Sequence, residues 1–195
     1  MDAVLRSLAL LVVLMALLAG CGAGSLSVPP TDIDPAAVVR ILPTPPGLDQ
    51  STDVTTVDAA DLQTTFAGVA KAESAKVYED IGFDGGAKRT WSGPNDARVL
   101  VVVSRWPDHE TATRVGGGAV QQLAETTGAA AWTPEQLAGA RGARSAEQGP
   151  AAIRVLSLAV ADVSLLVRGD GPVTDAAIIR TMDLLTRPVR AASTP

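Results

Sequence analysis

Arg98-Val99-Leu100-Val101-Val102-Val103-Ser104 is the stretch that decides the fold. It is dominated by β-branched residues. Turn formers bound it, with Ser92-Gly93-Pro94-Asn95-Asp96 before it and Pro107-Asp108 after it, so it reads as a strand. Immediately upstream, Ala87-Lys88-Arg89-Thr90-Trp91 reads as a second strand, and loop 92–96 then closes a hairpin. Downstream, Pro107 and Asp108 open a helix expected to reach about Thr127, with Ala112, Val115, Ala119 and Leu123 on one face. Gly116-Gly117-Gly118 stands in the middle of that helix, where each Gly costs up to about 1 kcal/mol relative to Ala. Three together either break the helix or let its backbone press onto a sheet.

The same pattern returns further on. Ala152 to Val160 and Val163 to Arg168 read as strands joined by Ala161-Asp162, a second hairpin. Ile153, Val155, Val163, Leu165 and Val167 would line one face, and Leu156, Leu158 and Leu166 make the other face apolar as well, so both faces should be covered. Gly171-Pro172-Val173-Thr174 introduces a last helix with Ile178, Met182 and Leu185 as its core stripe and Arg180, Asp183 and Arg187 outside; Pro188 should end it. Ala140 to Ala146 reads as a ragged edge strand. Asp58 to Ile81, with Leu62, Phe66 and Val69 in step and Gly68 between, reads as one helix or two short ones. Val103 to Val115 and Arg168 to Arg180 form a weak internal repeat in which Pro107 matches Pro172. The expected fold is a single α+β domain over about 55–190. It has an antiparallel sheet of four to five strands and two main helices on one side of it, with a duplicated strand–strand–helix unit as one version of that plan.

The N-terminal segment has a different character. From Leu8 to Ala19 twelve consecutive residues are apolar and uncharged. At about 1.5 Å per helical residue this run is too short to cross a hydrocarbon core of roughly 30 Å. Such a run followed by small residues has the shape of an export signal. It ends in Leu18-Ala19-Gly20-Cys21, which resembles the bacterial lipobox. That resemblance implies a signal peptide over 1–20, a diacylglycerol on the Cys21 thiol, and cleavage just before it. The mature chain would then be held at the outer face of the cytoplasmic membrane, with the membrane as its first partner. Cys21 is the only cysteine, so no internal disulfide can form. Residues 21–54 carry Pro29, Pro30, Pro35, Pro43, Pro45 and Pro46 and read as a semi-extended tether dispensable for folding. Within it, residues 36–42 are apolar enough to dock on the domain. Arg outnumbers Lys thirteen to three, and Ala, Gly and Asp are abundant. With the lipobox, this resembles an actinobacterial lipoprotein.

Composition narrows the function classes. A net charge of −5 argues against nucleic acid as a partner. His109 is the only histidine, so with Cys21 consumed neither a Cys–His pair nor a histidine-rich metal site is available. No cofactor motif is legible: Gly116 to Gly118 lacks the Lys-Ser or Lys-Thr of a phosphate loop. Arg168-Gly169-Asp170 matches an adhesion tripeptide but lies in a strand-to-helix turn. Trp91, Trp106 and Trp132 stand at element ends, with Arg89 and Arg105 near the first two. Either they close the ends of an aromatic-poor core, or they form an apolar cleft rimmed by arginine for a small apolar or anionic ligand. Two functions follow from these residues. One is a non-catalytic ligand- or partner-binding module at the envelope. The other is an envelope enzyme using carboxylates such as Asp32 with Asp34, or Asp58 with Asp61.

Overall fold

The structure, a computed structural model, describes residues 31–67 and 72–193. The signal segment, Cys21 and Val69 lie outside the described residues. The central Arg98 stretch is a strand, β4 (Arg98–Arg105), paired along its length with β3 (Gly86–Ser92). The second hairpin joins β7 (Ile153–Val160) to β8 (Val163–Asp170), and β8 pairs antiparallel with β4 at the sheet centre. Four shorter strands complete it: β1 (Gln50–Ser51), β2 (Thr55–Val57), β5 (Ala130–Trp132) and β6 (Arg141–Arg144). The order is β1-β3-β4-β8-β7-β6-β5, with β2 also on the outer edge of β3, giving eight strands rather than four or five. β6 is the edge strand expected over Ala140 to Ala146, and the additional ones, β1, β2 and β5, are two or three residues long, too short for an apolar alternation to read.

Five α-helices are described: α1 (Pro35–Arg40), α2 (Ala59–Ala67), α3 (Ala72–Asp80), α4 (His109–Thr127) and α5 (Asp175–Ala192). The two long ones do not share a face of the sheet. Val99, Val101 and Val103 pack with Ile178, Met182 and Leu185 of α5. Val102 and Leu166 pack with Ala112, Val115, Ala119 and Leu123 of α4. The arrangement is helix–sheet–helix, which explains why Val99 to Val103 is apolar on both alternations. It also rules out a simple duplication. A two-fold rotation exchanging β4 and β8 would keep both helices on one face, yet the match of Pro107 to Pro172 sends Val103, on the α5 face, to Arg168, paired with Val155 on the α4 face. The expected face grouping on β7 shifts for a related reason. The two-residue turn pairs Leu156 with Val167 and Leu158 with Leu165, so these four share the α5 face while Val155 takes the other.

Pro188 does not end α5, which continues to Ala192. The stripe Ile178, Met182 and Leu185 extends to Val189, each fully buried, and that burial offsets the hydrogen bond that proline removes. The tether assignment is also corrected in part. Asp34 caps α1 by accepting from the Ala36 N–H at 2.9 Å, and Ile33, Val38, Val39 and Leu42 are buried in the α5-side core. The folded unit therefore begins by Thr31, not near residue 55.

The triple glycine leaves α4 unbroken and brings it onto the sheet. A Cβ on Gly116 would stand 2.7 Å from Ser164 Oγ and closer still to Ser157 Oγ. A Cβ on Gly118 would meet open space. Gly116→Ala is therefore expected to destabilise by about 1–3 kcal/mol through overpacking, despite the better helix former. Gly118→Ala should stabilise by up to about 1 kcal/mol. Denaturant melts of the two variants check this; equal effects would show that α4 does not press on β7 and β8.

Candidate functional site

The three tryptophans are all buried, at 0%, 2% and 9% exposure for Trp91, Trp106 and Trp132, and they do not meet. Trp91 on β3 and Trp132 on β5 lie toward opposite edges of the α5 face. Trp106 belongs to the α4 side, against Tyr78 and Phe83 at ring-centroid distances of 5.9 and 5.3 Å, with its indole N–H donated to Ser104 Oγ at 3.0 Å. Arg89 stacks over Trp91 at 4.8 Å, as shared strand alternation implies, and donates to Ser51 Oγ and the Thr52 carbonyl. Arg105 turns away from Trp106, its sequence neighbour, to pair with Asp84. The five residues do not converge on one cleft: Trp106 lies in the other layer from Trp91, and Trp132 lies across the width of the sheet from Trp91 and Arg89.

The sequence offers two pairs of carboxylates for acid–base work, Asp32 with Asp34 and Asp58 with Asp61. Asp34 caps α1, and Asp58 accepts from the Asp61 N–H at 2.8 Å at the start of α2. Each binds a backbone N–H at a helix start, the usual task of an aspartate there. Among the described residues no group of three or more His, Cys, Asp or Glu is placed to hold a metal ion.

A concave surface lies elsewhere, at the end of the sheet where β4 begins and β8 ends. Loop 46–48, the turn 94–97 and the start of α5 enclose an open groove of about 520 Å³. Its walls are mainly apolar, with Leu48, Ala97, Val173 and Ala177 among them, and among the described residues Arg180 is the only charged one in the lining. Arg180 is exposed and forms no ion pair among the described residues. The turn is held in an uncommon conformation. Asn95 and Asp96 have φ of 56° and 61°, and Asn95 is the single asparagine of the chain, the non-glycine type that best tolerates this region. Gly171, at φ 76°, lets the end of β8 approach; a Cβ there would be 2.8 Å from the Asp96 carbonyl oxygen. Two strained non-glycine residues at the rim of a groove are a pattern associated with functional surfaces.

Beside the groove, Asp175 in the first turn of α5 accepts from Arg154 Nε at 2.5 Å and pairs with Arg144. Burial alone would raise its carboxyl; the bonds from Arg154 and Arg144 outweigh that and hold it below the ordinary aspartate range. Its contribution to stability is therefore present above the unfolded value of about 3.9 and lost as pH falls through the lower folded value.

No protein-family model and no curated protein matches the sequence. Among solved structures, the chain is similar to the extracellular domain of PknH from Mycobacterium tuberculosis. The TM-score is 0.50 and the identity 12%, over 73% of this chain and 84% of that one. A putative uncharacterised protein from Mycobacterium smegmatis aligns with a TM-score of 0.38 and 13% identity, over 86% of this chain and all of the other. The first of these shows a shared fold. No described helix is long and apolar enough to cross a membrane.

Proposed function

We propose that the protein is a lipid-anchored module of the cell envelope that binds its ligand without catalysis, in the groove beside Arg180. The observation that carries this is the groove itself, about 520 Å³, within the roughly 300–1,000 Å³ of small-molecule sites, where among the described residues Arg180 is the one charged lining group and forms no ion pair. In a chain of net charge −5, that favours a ligand with an apolar body and one negative group. The lipobox-like Leu18-Ala19-Gly20-Cys21 supports the anchor, and the fold shared with an extracellular domain is in keeping with placement outside the membrane. The carboxylate-enzyme reading gains no comparable support, since Asp34 and Asp58 are engaged as caps.

Two measurements test the proposal. Intact-mass analysis of membrane-extracted protein should show a chain starting at a diacylglycerol-modified Cys21, and Cys21→Ala should release the protein or stall it as precursor. An unmodified Cys21 refutes the anchor. Separately, titration with octanoate should shift amide resonances of Ala97, Val173 and Ala177, with octanol binding more weakly. Arg180→Gln should weaken octanoate about tenfold or more, the scale of one charge-assisted contact. Equal binding of octanoate and octanol, or shifts confined to another surface, would overturn the groove as the site.

A further inference from the structure

A second polar side chain lines the groove and is left without a partner. Asn95 lines it from the turn 94–97, while Arg180 lines it from α5. The Asn95 side chain is exposed, and its amide forms no hydrogen bond among the described residues. Thr174, the other polar side chain of the lining, is engaged as the N-cap of α5, its Oγ accepting from the Ala177 N–H at 3.2 Å. Pro46, Pro94 and Pro172 contribute wall without a backbone N–H. Among the described residues, the unengaged side-chain recognition in the groove is therefore one amide and one guanidinium.

The residue type at position 95 points the same way. Asn95 sits at φ 56° and ψ 38°, in the left-handed region that glycine enters at the least cost. Of the ten described positions with positive φ, seven are glycine. The turn itself makes no use of the side chain. It is closed by backbone alone, Gly93 N–H to the Ala97 carbonyl at 2.9 Å and Ala97 N–H to the Pro94 carbonyl at 3.2 Å. A strained position thus holds up an amide that only a bound molecule can engage.

The Asn95 amide offers both a donor and an acceptor, and a ligand amide can answer either one. A guanidinium is matched by a carboxylate. We propose that the groove takes an N-acyl amino acid or a close chemical equivalent, an apolar chain joined through one amide to a carboxylate, with Asn95 holding the amide and Arg180 the carboxylate. The proposal rests on the groove being the binding site. One amide is specified because a second would give up its water with no free side-chain partner in the lining. A peptide carboxyl terminus, with an amide at every residue, fits the lining less well for that reason.

The test compares N-octanoylglycine with undecanoate, which has the same length and carries two methylenes in place of the amide. On apolar burial alone undecanoate binds the more tightly. With Asn95 engaged, N-octanoylglycine should bind about fivefold tighter or more, the scale of one neutral hydrogen bond. Asn95→Gly keeps the turn, since glycine adopts this φ and ψ freely, and removes the amide. It should abolish the preference for N-octanoylglycine and leave undecanoate binding unchanged. Equal or tighter binding of undecanoate to the natural chain overturns the proposal, as does a preference that survives Asn95→Gly. Tighter binding of acetyl-Val-Val-Gly than of N-octanoylglycine overturns the one-amide ligand in favour of a peptide. If none of the three shifts the amide resonances of Ala97, Val173 and Ala177, the groove itself fails as the site, a result read separately from any loss of preference.

Discussion

A chain beginning at Val54 is expected to lose most of its stability relative to one beginning at Thr31. The removed segment contains Ile33, Val38, Val39 and Leu42, each at most 6% exposed, packed in the same cluster as Trp91, Val99 and Val101. Burying one such aliphatic side chain contributes roughly 1.5–3 kcal/mol, so four account for about 6–12 kcal/mol of gross burial. A typical domain has about 5–15 kcal/mol in total. The shorter chain has fewer residues to order, which returns part of that loss. It does not return the water-exposed face of β3 and β4 that α1 had covered, nor the pairing of β1 with Trp91 and Ser92. Thermal melts of the two chains decide the matter: the shorter should aggregate or melt more than about 10 °C lower. Melting within a few degrees would show that α1 merely rests on the sheet.

That segment also shows where sequence reasoning stops. Six prolines between residues 29 and 46 speak for an extended tether, and the composition of the segment as a whole supports it. The packed part, Ile33 to Leu42, is short enough that its apolar residues are outvoted, and helix α1 is only six residues long. Proline itself misleads here, because Pro35 occupies the first helical position, where its missing N–H costs nothing. The main strands and the α4 and α5 stripes were legible, since Val99 to Val103 is a mostly β-branched run bounded by turn formers, and Ile178, Met182 and Leu185 repeat at the helical period. Which face each helix covers was not legible. A strand apolar on both alternations fits either face, and the β8-to-α5 connection alone decides it. The groove was missed for a related reason. Its residues come from loops near 47, 95 and 173, far apart in sequence, and the one local signal was a lone asparagine between Pro94 and Asp96. The tryptophans drew notice by rarity, but Trp106 packs on the α4 side, while Trp91 and Trp132 share the α5-side core at opposite edges of the sheet.

Ile178→Ala should cost roughly 2–5 kcal/mol, the usual range for emptying a packed aliphatic site. Ile178 is fully buried, beneath the first turns of α5 and against the sheet face that carries Val99, Val101 and Val167. Gly169 on β8 fixes how closely it approaches, because a Cβ there would stand 2.7 Å from Ile178 Cδ1. Strand and helix are thus in direct contact at that point, so a deleted side chain leaves a cavity that neither rigid backbone can close. Arg180→Ala, two residues along the same helix, removes an exposed side chain and should change stability by no more than about 0.5 kcal/mol. Alanine is the better helix former in both cases, so propensity cannot explain a difference between them. The comparison also separates fold from function at the groove. Arg180→Ala should leave the melting point in place while weakening an anionic ligand, whereas Ile178→Ala should lower the melting point with Arg180 still present. Denaturant unfolding of both variants, read beside octanoate titration, checks the pair. If Ile178→Ala proves as mild as Arg180→Ala, α5 is not the helix that closes the core over β4 and β8. The groove built on its first turn would then lose the rigid wall it needs.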